Sequence, residues 1–265
     1  MPHDLELAEH YQKYFYTVSA NTQELKKLAY QLRYKVYIED CQYNTKYNHS
    51  TYNAVEQIER DEYDDDALHA LLFHKPTNQA IGNIRLIPYK PEQFDMLPLE
   101  KHGNLELFDE IDRVDVLRTR QGGEVSRVCL LKSFRQRRFD QIYLSGTTCE
   151  VEEIKSDRRY PINYLPLCLC LMALQYKYQA GLSYSLAMME KPLATLIRHY
   201  GIQYRQIGPF REYYGRRAPF LISRQGTYDN LLPGVRKLFE TISEELSCDA
   251  PAAISSAAQT VGNGA

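Results

Sequence analysis

Apolar positions change period several times along the chain, and each change marks an expected element. Over 23–39, QELKKLAYQLRYKVYIE, Leu25, Leu28, Leu32 and Val36 recur at helical spacing behind Thr22, a residue suited to an N-cap. An amphipathic helix is expected there. The stretch 41–59 is polar and aromatic without a period that buries a face, which suggests a mobile segment of the kind that covers sites. Residues 67–74 and 79–89 are short β-like runs joined by a turn containing Pro76 and Asn78, so an antiparallel hairpin is expected. Residues 91–116 read as irregular with a short helix. The run 124–131, EVSRVCLL, opens after Gly122 and Gly123 and fits a central strand with a kink or bulge near its start.

Beyond the basic run KSFRQRR and a polar insertion at 147–160, the apolar pattern resumes over 162–180. Pro166 in the first turn and Gly181 just past the end make this a buried helix. A strand at 182–189, a short helix at 191–200, strands at 202–207 and 218–223, and a helix at 228–246 complete the pattern. Residues 1–22 read as an N-terminal extension, 23–246 as one domain, and 247–265, with few large apolar groups, as a disordered tail. The order predicts a mixed α/β fold, a central sheet with helices on both faces.

Composition narrows the function. Thirty-two Lys+Arg against 34 Asp+Glu give a net charge of −2, so no molecule-wide field favours nucleic acid. Six scattered cysteines without CxxC pairs argue against a zinc site and suit reduced thiols in a cytoplasm. The N-terminal segment is charged and lacks a secretory apolar stretch, and the apolar run 164–174 is too short to span a bilayer. No integral membrane segment is expected. Ser126 lacks the GxSxG elbow of serine hydrolases. The histidines, including His69 and His74, have no carboxylate or thiol partner at a useful spacing and are set aside.

Four short motifs carry more information together than apart. They are Arg33-Tyr34-Lys35-Val36-Tyr37, Glu59-Arg60-Asp61-Glu62-Tyr63-Asp64, Gly82-Asn83-Ile84-Arg85-Leu86 and Glu124-Val125-Ser126-Arg127. In order and approximate spacing they resemble RxxVF, ExDxxD, GxxRL and ExSR of autoinducer (acyl-homoserine lactone) synthases and N-acyl amino acid synthases, which have the GNAT fold. The layout, including EVSR and the basic stretch after it, is more similar still to PEP-CTERM/exosortase system-associated acyltransferases. Two departures stand out: the family's tryptophan after the first helix is absent, with Tyr43 the nearest aromatic, and the second motif lies further from the first.

The resemblance implies an acyltransferase with a GNAT-like acyl-CoA N-acyltransferase fold. Acyl transfer to an amine needs a base, a held thioester and donors for the developing oxyanion. Glu124, at the head of the central strand, is the candidate general base, with an ordinary salt-bridged carboxylate as the alternative. Backbone N–H groups near Val128 to Leu130, freed by a bulge, would stabilise the oxyanion. The resemblance places Arg33, Tyr37, Asp61, Asp64, Arg85 and Arg127 at the acceptor pocket, where paired Asp and Arg groups suit an amino-acid-like amine. The same charges could instead clamp the covering segment to the sheet. Lys132, Arg135, Arg137 and Arg138 form a positive patch suited to phosphopantetheine and an acidic acyl carrier protein, or a solvated helix face. Because Phe134 to Phe139, FRQRRF, lacks the glycines of a pyrophosphate loop, a carrier-protein thioester is the expected donor and no bound cofactor or metal is expected. Leu167, Leu171, Leu174, Leu186 and Met188 are available to line an acyl slot. The competing readings are a coenzyme-A-dependent GNAT acetyltransferase and a non-catalytic protein that binds acyl groups or carrier protein and regulates an exosortase system.

Overall fold

A computed structural model of the chain describes residues 3–47, 49–103, 105–111, 117, 121–135, 164–225 and 227–248. The insertion at 147–160, Arg137, Arg138 and residues 249–265 lie outside the described residues.

The chain begins with α1 (His3–Tyr14) and β1 (Phe15–Ser19), then α2 (Gln23–Tyr34). The Thr22 hydroxyl accepts the Leu25 N–H at 3.3 Å, so the expected cap is present. Residues 23–39 are not one α-helix, however. After Tyr34 the backbone widens into a π-helical turn, Lys35–Asp40, closed by Cys41 N–H to Val36 C=O at 3.0 Å. The next stretch, expected to lack structure, folds into α3 (Tyr43–Lys46) and the small ribbon β2 (Tyr52–Asn53) with β3 (Ile58–Glu59). The hairpin β4 (Leu68–His74) and β5 (Gln79–Pro88) follows, then α4 (Pro98–Lys101) and β6 (Gly123–Leu130). Next come α5 (Leu165–Gln179), β7 (Tyr184–Glu190), α6 (Lys191–His199), β8 (Arg205–Gln206), β9 (Arg211–Glu212), β10 (Arg216–Ser223), α7 (Thr227–Asn230) and α8 (Pro233–Ser247). The last helix expected from sequence is divided: Pro233 cannot donate in a helix interior and instead starts α8. The strand expected at 202–207 shrinks to β8, and β9 had no signal.

The main sheet runs β1-β4-β5-β6-β7-β10-β8, with β9 also on β10, and every pair is antiparallel except β6 with β7. Residues 3–19 are part of this body. β1 pairs with β4 from Phe15–His74 to Ser19–Ala70, and α1 packs on α8. β4 and β5 are buried almost throughout, as strands covered on both faces must be. On one face α5 lies close to β5: a Cβ at Gly82 would stand 3.0 Å from Leu169 Cδ2, so a larger residue there would push the helix away. The opposite face carries α2, and alternation along β5 points Asn83 and Arg85 toward it. A second, smaller core of Tyr63, Ile87, Leu97, Leu99, Leu186 and Ile207 supports that face.

Two features of β6 position the site. Arg85 faces Ser126 and Asn83 faces Cys129, so Ile84 alone stands opposite both Arg127 and Val128. This is a β-bulge in mid-strand, not near the glycines, and Arg127 takes φ +53° to make it. Moreover, the parallel ladder between β6 and β7 consists of Glu124–Leu186 and Val125–Ala187 only. Past that point β6 continues to Leu130 while β7 stays with β10, so the two strands part.

Candidate active site

The bulge decides which way Arg127 points. Regular alternation would send Ser126 and Arg127 to opposite faces, but the extra residue lets both reach the α2 side. Arg127 Nε lies 3.0 and 3.1 Å from the two Glu59 oxygens, and its Nη2 lies 2.7 Å from Asp61 Oδ2. Arg33, in the last turn of α2, donates to Glu59 Oε2 at 2.5 Å and grips Asp64 with two bonds of 2.7 and 2.8 Å. Arg85 on β5 donates to Asp61 at 2.5 and 3.0 Å, to Asp64 at 2.8 Å and to Ser126 Oγ at 3.1 Å. Three guanidinium groups and three carboxylates thus form one closed network drawn from three strands, a helix and the turn after β3.

Burial separates the members. The side chains of Arg33, Glu59, Asp64 and Arg85 are 0% exposed, whereas Asp61 keeps 8% and Arg127 17%. Only the last two present an edge to a ligand. Burial alone would raise the Glu59 carboxyl, but Arg127 and Arg33 outweigh it and hold it well below its usual range. Asp61 is lowered against the same burial cost by Arg85 and Arg127, and Asp64 by Arg33 and Arg85. His69, beneath this network, donates its Nε2–H to the Asp64 carbonyl at 3.0 Å; burial and then Arg33 push it down to about 4, so it stays neutral at physiological pH.

Glu124 stands apart from the ion pairs. Its Oε2 accepts the Leu99 N–H at 2.8 Å, and burial pushes its carboxyl up to about 7, against the lowering pull of that bond and of Arg85 and Arg127. It therefore shares the electrostatic field of the network without being neutralised by it. Tyr213, in the turn between β9 and β10, is pushed up to about 12 by burial and then by the Glu124 charge. Tyr37 reaches Val128 C=O at 3.4 Å on the parted edge of β6.

Arg33, Asp61, Asp64, Arg85 and Arg127 are thus brought into contact, with Tyr37 and Glu124 around them. Lys132 and Arg135 lie just past β6; Lys132 is exposed, while Arg135 turns back to Asp40 at 3.1 Å. Of the residues available for an acyl slot, Leu167, Leu171, Leu174 and Leu186 are buried in the cores and Met188 is half-buried. Several participants were missed from sequence. Glu59 heads the second motif yet was given no role, although it bonds to Arg33, Arg127, His49 and Thr51. His49, set aside for want of a partner, bridges Glu59 at 3.2 Å and Tyr214 at 2.9 Å. Its partner Tyr214 is 165 residues away, so no spacing rule would find it. Among the described residues no His, Cys, Asp and Glu group has metal-holding geometry, and no helix is long and apolar enough to cross a membrane.

Residues 32–145, which contain α2's last turn, the charged network, Glu124 and the bulge, match the acetyltransferase (GNAT) domain family. The chain carries a GNAT-family domain. It is on that ground an acyltransferase. Among curated proteins none matches the chain. Solved structures agree with the fold: the CoA-dependent acyl-homoserine lactone synthase BjaI, with SAM and isopentyl-CoA, superposes with a TM-score of 0.55 at 17% identity over 93% of this chain and 99% of its own. TofI, in a ternary complex with an inhibitor and MTA, gives 0.50 at 15% identity over 83% and 95%. FeeM, an N-acyl amino acid synthase from uncultured soil microbes, gives 0.47 at 11% identity over 82% and 94%, too remote a likeness to bear on chemistry. In the GNAT domain of this chain, the parted strands and the buried acid at their fork are therefore the features to explain.

Proposed function

We propose that the protein transfers a fatty acyl group from an acyl-carrier-protein thioester to the amine of an amino-acid-like acceptor. The observation that carries this reading is the position of Glu124: it forms the first residue pair of the β6–β7 ladder, one pair before the strands part, and its carboxyl titrates near neutrality. Past Val125 the β7-facing edge of β6 has no ladder partner among the described residues, and the amide groups of a phosphopantetheine arm would bind it as an added strand does.

Chemically, the amine nitrogen attacks the thioester carbonyl. A C–N bond forms, the C–S bond breaks, and the sulfur leaves with the bonding pair as a thiolate that water protonates. Glu124 takes the proton released by nitrogen, directly or through one water; a pKa near 7 suits a base working at neutral pH. Backbone N–H groups near Val128–Leu130 stabilise the oxyanion. Asp61 and Arg127, the two network members with exposed edges, hold the acceptor's amine, which reaches the attacking neutral form by losing a proton to solvent, and its carboxylate, while Arg33, Glu59, Asp64 and Arg85 position them. Lys132 and Arg135 face the carrier. The likeness in motifs to PEP-CTERM/exosortase-associated acyltransferases supports a role beside an exosortase system, and the scattered cysteines support a cytoplasmic one.

The test is thiol release from octanoyl-carrier protein and from octanoyl-CoA in the presence of amino acids, with products read by mass spectrometry. Wild-type protein forms an N-octanoyl amino acid from the carrier thioester, and Glu124→Gln loses the rate by about 10²–10⁴-fold. Full activity in Glu124→Gln would overturn the assignment.

A further inference from the structure

The groove between the parted strands is not open. Tyr37 sits on the β6 side, with its hydroxyl 3.4 Å from Val128 C=O. Its ring stacks on Tyr43 with centroids 5.5 Å apart and planes at 15°. Tyr43 in turn packs on Tyr214 at 5.2 Å and lies near Arg217 of β10, whose guanidinium reaches Glu190, the last residue of β7, at 3.3 Å. A stacked tyrosine pair therefore bridges from β6 to the β7–β10 side, across the space where the donor arm is to lie.

What holds Tyr43 there is only three residues upstream. Asp40 ends the π-helical turn and accepts Arg135 Nη2 at 3.1 Å and the Lys132 N–H at 3.4 Å. Arg135 Nη1 also lies 3.3 Å from Cys41 Sγ, so the whole contact joins the end of β6 to the root of α3. Between latch and ring stands Gln42 at φ +56°, a left-handed conformation unfavourable for glutamine and a natural point for the chain to swing. Arg135 still has an unused donor: its Nε is buried with no hydrogen-bond partner among the described residues. Asp40 meets Arg135 through one oxygen only, and a carboxylate bound through both oxygens, one of them on Nε, would satisfy it.

We infer that Asp40 determines donor specificity: its ion pair with Arg135 keeps Tyr43 across the donor groove, and an acidic carrier protein opens the groove by drawing Arg135 onto its own carboxylates. The inference rests on the proposed carrier-dependent reaction and adds its regulation. A donor without charge cannot break the latch and must wait for spontaneous opening, whereas carrier-borne thioester removes the obstacle as it docks. If the closed form holds about four-fifths of the molecules, unlatching raises apparent affinity for an uncharged donor about fivefold.

Steady-state kinetics with octanoyl-pantetheine, which has no phosphates, and octanoyl-carrier protein test this in wild type, Asp40→Asn and Tyr43→Ala. Both variants should raise kcat/KM for octanoyl-pantetheine about fivefold and leave the carrier thioester unchanged or slower, so that the preference for carrier collapses. An unchanged ratio in correctly folded variants would overturn the inference. A second readout needs no turnover. The chain has no tryptophan, so Tyr43→Trp supplies a single fluorophore. Its emission should shift red on adding apo-carrier protein and stay fixed with pantetheine alone; an unshifted spectrum with carrier bound would refute the opening. Failure of wild type to use any thioester would instead defeat the proposed reaction, and the tryptophan signal would still report whether carrier moves Tyr43.

Discussion

Replacing Glu124 by glutamine should stabilise the fold at neutral and alkaline pH while removing acyl transfer. The side chain is 4% exposed, and burial pushes the carboxyl from 4.5 to about 7. Each pKa unit is about 1.4 kcal/mol, so a shift of roughly two and a half units is about 3 kcal/mol. The sign follows from proton linkage. Below the unfolded value both states carry the proton and no penalty exists; between the unfolded and folded values the unfolded chain releases its proton while the folded chain keeps it, so stability falls with rising pH until the folded carboxyl ionises too. Wild type therefore forfeits about 3 kcal/mol between pH 4.5 and roughly 7.5, apart from other groups. Glutamine keeps the oxygen that accepts the Leu99 N–H and never ionises. Urea unfolding of both proteins from pH 4.5 to 8.5 isolates this contribution, because titration of His69 and Lys177 cancels in the difference. The difference should grow by about 3 kcal/mol in favour of Glu124→Gln and level off above pH 8. A flat difference, or a variant less stable at pH 8 than at pH 5 relative to wild type, would show that Glu124 is not a desolvated acid and would remove the physical basis for its role as base.

Arg33→Met should cost 3–5 kcal/mol in urea unfolding, about the usual cost of leaving a buried carboxylate unpaired, since both Glu59 and Asp64 lose a donor; adding Asp64→Leu should recover part of it. Thr22→Ala should cost about 1 kcal/mol through the lost cap, read by the same assay, with no effect on turnover. Lys177, buried on α5 and pushed down to about 7 mainly by burial, donates to Ile222 and Ser223 carbonyls. Its folded value lies below its unfolded one, so wild type loses stability as pH falls from 10 toward 7. Lys177→Met should abolish that slope in pH-dependent unfolding.

The sequence alone determined whatever depends on neighbours within a few residues. The spacing of Leu25, Leu28 and Leu32 behind Thr22, the Pro76–Asn78 turn between two β-like runs, and Pro166 with Gly181 around an apolar stretch each set a local preference, and α2, the β4–β5 hairpin and α5 follow from them. The charged motifs were legible too, because Arg33, Asp61, Asp64 and Arg85 stand in short patterns. Only the tertiary structure decided what depended on strands meeting across the sheet. Residues 15–19 became an edge strand because β4 offered them a ladder, a choice no local pattern makes. The bulge fell at Arg127 instead of beside Gly123 because the register between β5 and β6 must skip one residue to bring Arg127 onto Glu59 and Asp61. Glu59, His49 and Tyr214 acquired partners through distances in space unrelated to their separation along the chain. Glu124's acidity is the same kind of fact: a glutamate is ordinary in sequence, and only a packed interior can withhold from its charge the water that would make it ordinary in the fold.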